Sequence, residues 1–275
     1  MDKDNILKRA SGFKVEGKKT KPQAWQELEK KMNKMPTAVT NNYQKLFIGS
    51  AAAAIAAILL VFTFVNRTTT YKTLAGDTQM ITLPDNSLAY LNAGTTLKVT
   101  TGKWPSKREV ILDGEAFFEV IPGSSFTVRS ANGTVKVLGT KFNVYSRNSF
   151  FMVDCYSGKV NVTNAHQDQS VNLLPNTGIR LKEDNRFSEK YTIKPQRAKS
   201  WLTGVFHFKA TPLILVIEEI ERQFGYTVEI KTDISNRSYT GSFTNKDLAV
   251  TLDLVCVPMG LKYNIVEAEK RVTIQ

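Results

Sequence analysis

The sequence predicts a single-pass membrane protein with two exported parts: an all-β domain of many short strands, twisted-sandwich or solenoid-like, and then a small α+β domain. Three features predict it. Residues 46–65 carry no charge; short alternating apolar runs broken by turn signals fill 71 to about 194; strand and helix patterns alternate after 201. The segments are therefore an arm at 1–45, a span at 46–65, a β domain at 66–198 and an α+β domain at 199–275. A hydrophobic content of 42% excludes a wholly disordered chain, and two Cys exclude a disulfide-stapled mini-protein. Two His leave little from which to build a zinc or haem centre, so no metal or cofactor is expected.

The net charge of +12 raises the question of nucleic acid, but its distribution answers differently. The arm holds 11 Lys/Arg against five acids, and the rest of the chain spreads the remaining excess over five times the length. A basic arm before an apolar run is explained by membrane topology and anionic lipid, with no direct nucleic-acid contact. Within the arm, Pro22 to Met35 fits a helix with Trp25, Leu28 and Met32 at i, i+3 and i+7. Forty-five residues build no core alone. Two readings stand: a short amphipathic helix that docks on a partner or a membrane surface, and a disordered tether.

The run from Leu46 to Val65 has only Ser50 and Thr63 as polar side chains. A helix of that length covers roughly 30 Å, the hydrocarbon thickness of a bilayer. A cleaved signal peptide fits poorly, because 45 residues precede the run and no small-x-small site follows it. Lys30, Lys31, Lys34 and Lys45 on one side outnumber Arg67 and Lys72 on the other, which keeps the N-terminus inside. Gly49, Ala53 and Ala57 form a small-residue row, a pattern common by chance in so Ala-rich a span.

Strand runs in the next segment include Met80–Leu83, Leu88–Leu91, Val110–Leu112, Ala116–Val120, Phe126–Val128, Thr134–Leu138, Phe142–Tyr145, Phe151–Val153 and Val160–Val162. Turn signals separate them, among them Pro84-Asp85-Asn86, Asp113-Gly114 and Asn132-Gly133. Gly114 is expected to turn the chain before a strand that points Ala116, Phe118 and Val120 inward. Glu115 and Glu119 then share the opposite face, expected to be solvated or paired with Arg. Cys155 and Cys256 read as small buried hydrophobes in different domains, with no disulfide favoured.

After Trp201 the pattern reads βαββαββ. Val205–Phe208 is a strand; Thr211-Pro212 caps a helix with Pro at its first position; Leu213, Val216, Ile217, Ile220 and Phe224 form its stripe, and Gly225 ends it. Tyr226–Ile230 and Tyr239–Phe243 are strands. Thr244 with Asp247 fits a capping box for a second helix bearing Leu248, Leu252 and Val255, and Leu261–Val266 and Arg271–Ile274 close the fold on one small mixed sheet. His207 alternates with Phe206 and Phe208 and is expected to face solvent.

The strings Leu83-Pro84-Asp85-Asn86-Ser87, Leu91-Asn92-Ala93, Arg108 to Val120 and Val137 to Val144 resemble the FecR family of membrane-anchored sigma-factor regulators. Asn86 stands where that family usually has Gly, and Asn tolerates the same left-handed turn. The tail from Trp201 resembles the small signalling domain of secretins and TonB-dependent receptors. The resemblance implies no enzyme but an anti-sigma factor of the bacterial inner membrane. Its N-terminus would be cytoplasmic, holding an extracytoplasmic-function (ECF) sigma factor. Its exported domains would be periplasmic, sensing the signalling domain of a TonB-dependent receptor, with a site-2-type protease freeing the arm. Family members carry a cytoplasmic helical domain about twice this arm's length, so sigma-factor contact is expected to fall on Trp25, Leu28 and Met32. The rival reading is an envelope adaptor that binds no sigma factor. Receptor contact is expected at an exposed sheet edge, Ser238–Phe243 or Arg271–Ile274, through Tyr239, Gly241, Phe243, Val272 and Ile274. Some family members break the Gly-Thr bond matching Gly139-Thr140 by an N-to-O acyl shift, which needs a strained turn; the favoured expectation here is a plain tight turn.

Overall fold

The computed structural model describes residues 20–33, 55, 57, 67–104, 106–182, 184–193 and 200–275. It divides into two units, residues 1–60 and 61–275. In the first, α1 (Lys21–Met32) begins after Thr20, whose backbone N–H donates to Gln23 Oε1 at 3.1 Å, and Lys30 and Lys31 favour its C-terminal end. No residue of α1 is buried: Trp25, Leu28 and Met32 are 69%, 55% and 60% exposed. Of the predicted span only Ile55 and Ala57 are described, both helical and exposed; the rest of it, Gly49 and Ala53 included, lies outside the described residues. Among the described residues no helix is long and apolar enough to cross a membrane.

The second unit opens with thirteen strands: β1 (Thr68–Lys72), β2 (Gln79–Thr82), β3 (Leu88–Leu91), β4 (Thr96–Thr100), β5 (Arg108–Glu119), β6 (Phe126–Arg129), β7 (Gly133–Val137), β8 (Lys141–Arg147), β9 (Phe150–Ser157), β10 (Val160–Asn164), β11 (Ser170–Leu173), β12 (Thr177–Arg180) and β13 (Tyr191–Thr192). The long β5 is shared by two sheets. Its first half pairs with β4 and, in parallel, with β6; its second half pairs with β3 and β8. One sheet then runs β11-β10-β7-β6-β5-β4-β1 and the other β2-β3-β5-β8-β9-β12-β13. Both contribute to one core, in which Phe118 stacks on Phe142 at 5.2 Å and meets Phe126 at 5.8 Å.

Gly114 does not turn the chain between two strands, as the sequence suggested. The strand runs straight through it, and Gly114 sits where β5 passes from one sheet to the other, at φ +127°. A Cβ there would lie 2.8 Å from Thr95 Cα, so both the backbone angle and the close approach require glycine. Asn86 takes φ +66° in its turn as expected. Arg108, 5% exposed, is ion-paired to Asp85 of that turn and donates to Ser124 O and Ile121 O at 2.7 and 2.9 Å. The strings that carry the family resemblance are thus largely scaffold.

The C-terminal part consists of β14 (Val205–Pro212), α2 (Leu213–Phe224), β15 (Thr227–Ile230), β16 (Ser238–Thr244), α3 (Leu248–Cys256), β17 (Tyr263–Val266) and β18 (Arg271–Ile274), in the predicted order. Gly225 ends α2 in the left-handed conformation, its N–H on Glu221 O at 2.8 Å. Three local expectations change. β14 continues through Thr211, so Pro212 is the N-cap of α2 and not its first residue. Asp247 alone caps α3, accepting from Val250 N–H at 3.0 Å, while Thr244 finishes β16. The single mixed sheet is two: β14 with β16, and β15-β18-β17 with β18 in the middle. Cys155 and Cys256 are buried free thiols, and burial pushes each thiol up to about 11.

Candidate functional site

Alternation along β5 sends Ala116 and Phe118 into the sandwich and Glu115 and Phe117 to its outer face. On an isolated sandwich that face would be wet. Instead α2 and the start of β14 cover it. Phe117 is 1% exposed and belongs to the apolar cluster of Trp201, Phe206, Val216 and Ile220, flanked by Tyr156 at 5.7 Å and Tyr90 at 6.2 Å. Glu119 behaves as expected of an exposed carboxylate, paired with Lys141 at 3.2 Å. Glu115 differs in its surroundings: it is half-buried under the covering helix and faces amides and a second carboxylate.

A polar seam surrounds Glu115. Asn92 Nδ2 donates to Glu115 Oε2 and Asn143 Nδ2 to Glu115 Oε1, both at 2.8 Å. From α2, Gln223 Nε2 donates to Asn92 Oδ1 at 3.0 Å and to Glu219 Oε1 at 2.8 Å, and Arg222 Nη2 holds Glu219 Oε2 at 2.9 Å. Arg147, also buried, donates to Ala93 O and Gly94 O at 2.7 Å. Loss of water, then the charge of Glu219, pushes the Glu115 carboxyl above the usual carboxylate range.

Beside the seam lies a cavity of about 460 Å³. Glu115, Asp154 and Glu219 line it with Tyr145, Tyr156, Tyr191 and Trp201, and β14 forms one wall through Val205 to Lys209, exposed His207 among them. Asp154 accepts from the Tyr191 hydroxyl at 2.8 Å, and burial raises its pKa. Among the described residues no group of three or more His, Cys, Asp or Glu is placed to hold a metal. The chemistry on offer is recognition: carboxylate acceptors, phenol rings and an open strand edge.

The predicted contact residues are scattered. Trp25, Leu28 and Met32 lie exposed on α1. Tyr239 and Phe243 are 5% and 2% exposed, and Gly241 lies against the Tyr239 ring, where a Cβ would come within 2.6 Å. Val272 and Ile274 are fully buried, and β18 is no edge: β15 and β17 occupy its two sides, the former through a parallel pairing that hairpin reasoning does not foresee. Tyr239, Phe243, Val272 and Ile274 therefore hold the domain together and offer no side chain to a partner. Gly139 has no positive φ; glycine is needed there because Pro122 Cα approaches to 2.7 Å of where a Cβ would be. Thr140 is 3% exposed, pairs both backbone groups with Val120, and donates its hydroxyl to Lys159 O at 3.1 Å. The seam residues Asn92, Asn143, Glu219 and Gln223 escaped the sequence reading. One signal for two of them was present: Glu219 and Gln223 stand four apart beside the apolar stripe of α2.

The sandwich and the C-terminal part match separate family models. "FecR protein" matches residues 69–161, and "FecR, C-terminal" matches residues 205–274. The chain belongs to the FecR family. Two crystal structures of a proposed anti-sigma factor from Parabacteroides distasonis resemble this FecR-family chain at 29% identity. One has a TM-score of 0.70 and covers 76% of this chain and 98% of its own; the other has 0.69, 75% and 98%. No curated protein matches.

Proposed function

We propose that this FecR-family protein is an anti-sigma factor of the bacterial inner membrane. The arm lies in the cytoplasm and holds an ECF sigma factor through Trp25, Leu28 and Met32. The segment 46–65 is the bilayer crossing. The sandwich and the C-terminal domain lie in the periplasm and report the state of a TonB-dependent receptor, so that nutrient-uptake genes follow receptor occupancy. The observation that carries the reading is α1 itself: three large apolar side chains, each more than half exposed, on a helix with no buried residue. A helix of this kind gains its stability from a partner groove. The family membership and the Parabacteroides distasonis structures supply the partner class.

The seam between α2 and β5 is the natural bistable element of the relay. A receptor domain that binds the docked and undocked arrangements unequally shifts their populations by that difference in affinity. A site-2-type protease acting in the membrane then releases the arm.

Purification of the full chain from its own host tests the reading. A sigma factor is expected to co-purify with wild type and to fall at least tenfold in Trp25→Ala, the loss typical of an aromatic anchor. Recovery of no sigma factor with wild type overturns the reading and leaves the envelope adaptor.

A further inference from the structure

We propose that the cavity between the sandwich and the C-terminal domain receives a basic side chain, a guanidinium or an ammonium, carried on an extended segment of a partner protein that lies along β14.

Three carboxylates from three elements line it: Glu115 of β5, Asp154 of β9 and Glu219 of α2. Glu219 has Arg222. Glu115 accepts from the amides of Asn92 and Asn143, and Asp154 from the hydroxyls of Tyr191 and Tyr156; Arg147 and Arg180 act on them from farther away, and among the described residues neither carboxylate has a cation within ion-pair distance. Carboxylates partly withdrawn from water and lacking a direct ion pair are unfavourable, and a cation that contacts them lowers that cost. Asn143 and Trp201, each more than nine-tenths buried, also line the cavity. Asn143 Oδ1 and Trp201 Nε1 have no partner among the described residues, an acceptor and a donor left for an incoming group. The walls suit a cation as well, since phenol faces attract one, and Arg180 already sits 5.0 Å from the Tyr191 ring centre.

The strand edge selects a peptide over a free amine. β14 pairs with β16 along one side, and among the described residues no strand pairs with its other side. Val205 to Lys209 run along the cavity, so an extended segment can pair with the main chain while one side chain enters between the carboxylates. The inference stands apart from the sigma-factor reading, because it concerns only the exported unit.

Calorimetric titration of the full chain with two capped pentapeptides tests it: Thr-Val-Arg-Val-Thr, and the same peptide with neutral citrulline in place of arginine. The arginine peptide is expected to bind, with citrulline about tenfold weaker or more, as for a charged hydrogen bond. Glu115→Gln and Asp154→Asn are each expected to weaken the arginine peptide by a similar factor while the protein stays folded by circular dichroism. Lys209→Gln, on the exposed rim, is expected to strengthen it severalfold. No binding of the arginine peptide, equal binding of both peptides, or weakening by Lys209→Gln overturns the proposal.

Discussion

Phe117 and Phe118 are adjacent in sequence, alike in chemistry and equally buried, yet they stabilise different things. Phe118 is 0% exposed inside the sandwich; Phe117 is 1% exposed beneath the C-terminal domain. Truncating either to Ala removes a buried ring and leaves a cavity, a change that costs about 3–5 kcal/mol. For a unit of this size each kcal/mol lowers the melting temperature by roughly 2–4 °C, so a drop of about 6–20 °C is expected in both. The location of the damage separates them. Phe118→Ala destabilises the sandwich and so the whole unit of residues 61–275. Phe117→Ala leaves the sandwich core whole and undocks α2, so melting followed by near-UV circular dichroism is expected to split into two transitions, the later one close to wild type. A cost below about 1 kcal/mol for Phe117→Ala would refute the reasoning, because it would mean that the outer face of β5 is wet in solution.

Two further outcomes follow from the same geometry. The raised Glu115 pKa means that its contribution to stability is full below the ordinary carboxylate value of 4.5 and declines as pH rises through the raised one. Glu115→Gln cannot ionise, and Asn143, whose Oδ1 is unpartnered, can flip to accept from the new amide. The variant is therefore expected to gain on wild type in melting temperature from pH 4 to pH 8; parallel curves would show that the carboxylate is solvated. For Gly139-Thr140, the hydroxyl is engaged by Lys159 O and the backbone by Val120. Immunoblots of residues 61–275 are expected to show one full-length band in both wild type and Thr140→Ala, and two fragments confined to wild type would overturn the tight-turn reading.

Legibility in the sequence followed the range of the interactions. The strand runs, the end of α2 at Gly225 and the order βαββαββ rest on period-2 and period-3.6 patterns and on single residues such as Asn86 and Gly225, whose backbone angles are local properties. The same local patterns placed Trp25, Leu28 and Met32 on one helix, and Phe118 in a core. Glu115 shows where that reasoning stops. Alternation puts it on the outer face of β5 correctly, but whether that face meets water depends on a helix about 100 residues later in the chain.

By itself, then, the sequence determined the kinds of element, their order, the inward face of β5 and the apolar run at 46–65, since each depends on neighbours within a turn or a pleat. Only the tertiary structure decided that β5 is one strand serving two sheets, that β18 lies between β15 and β17, and that Glu115, Asp154 and Glu219 share one cavity. Those outcomes are set by which distant surfaces exclude water together, and burial of that kind is a property of the whole fold, written in no single stretch of it.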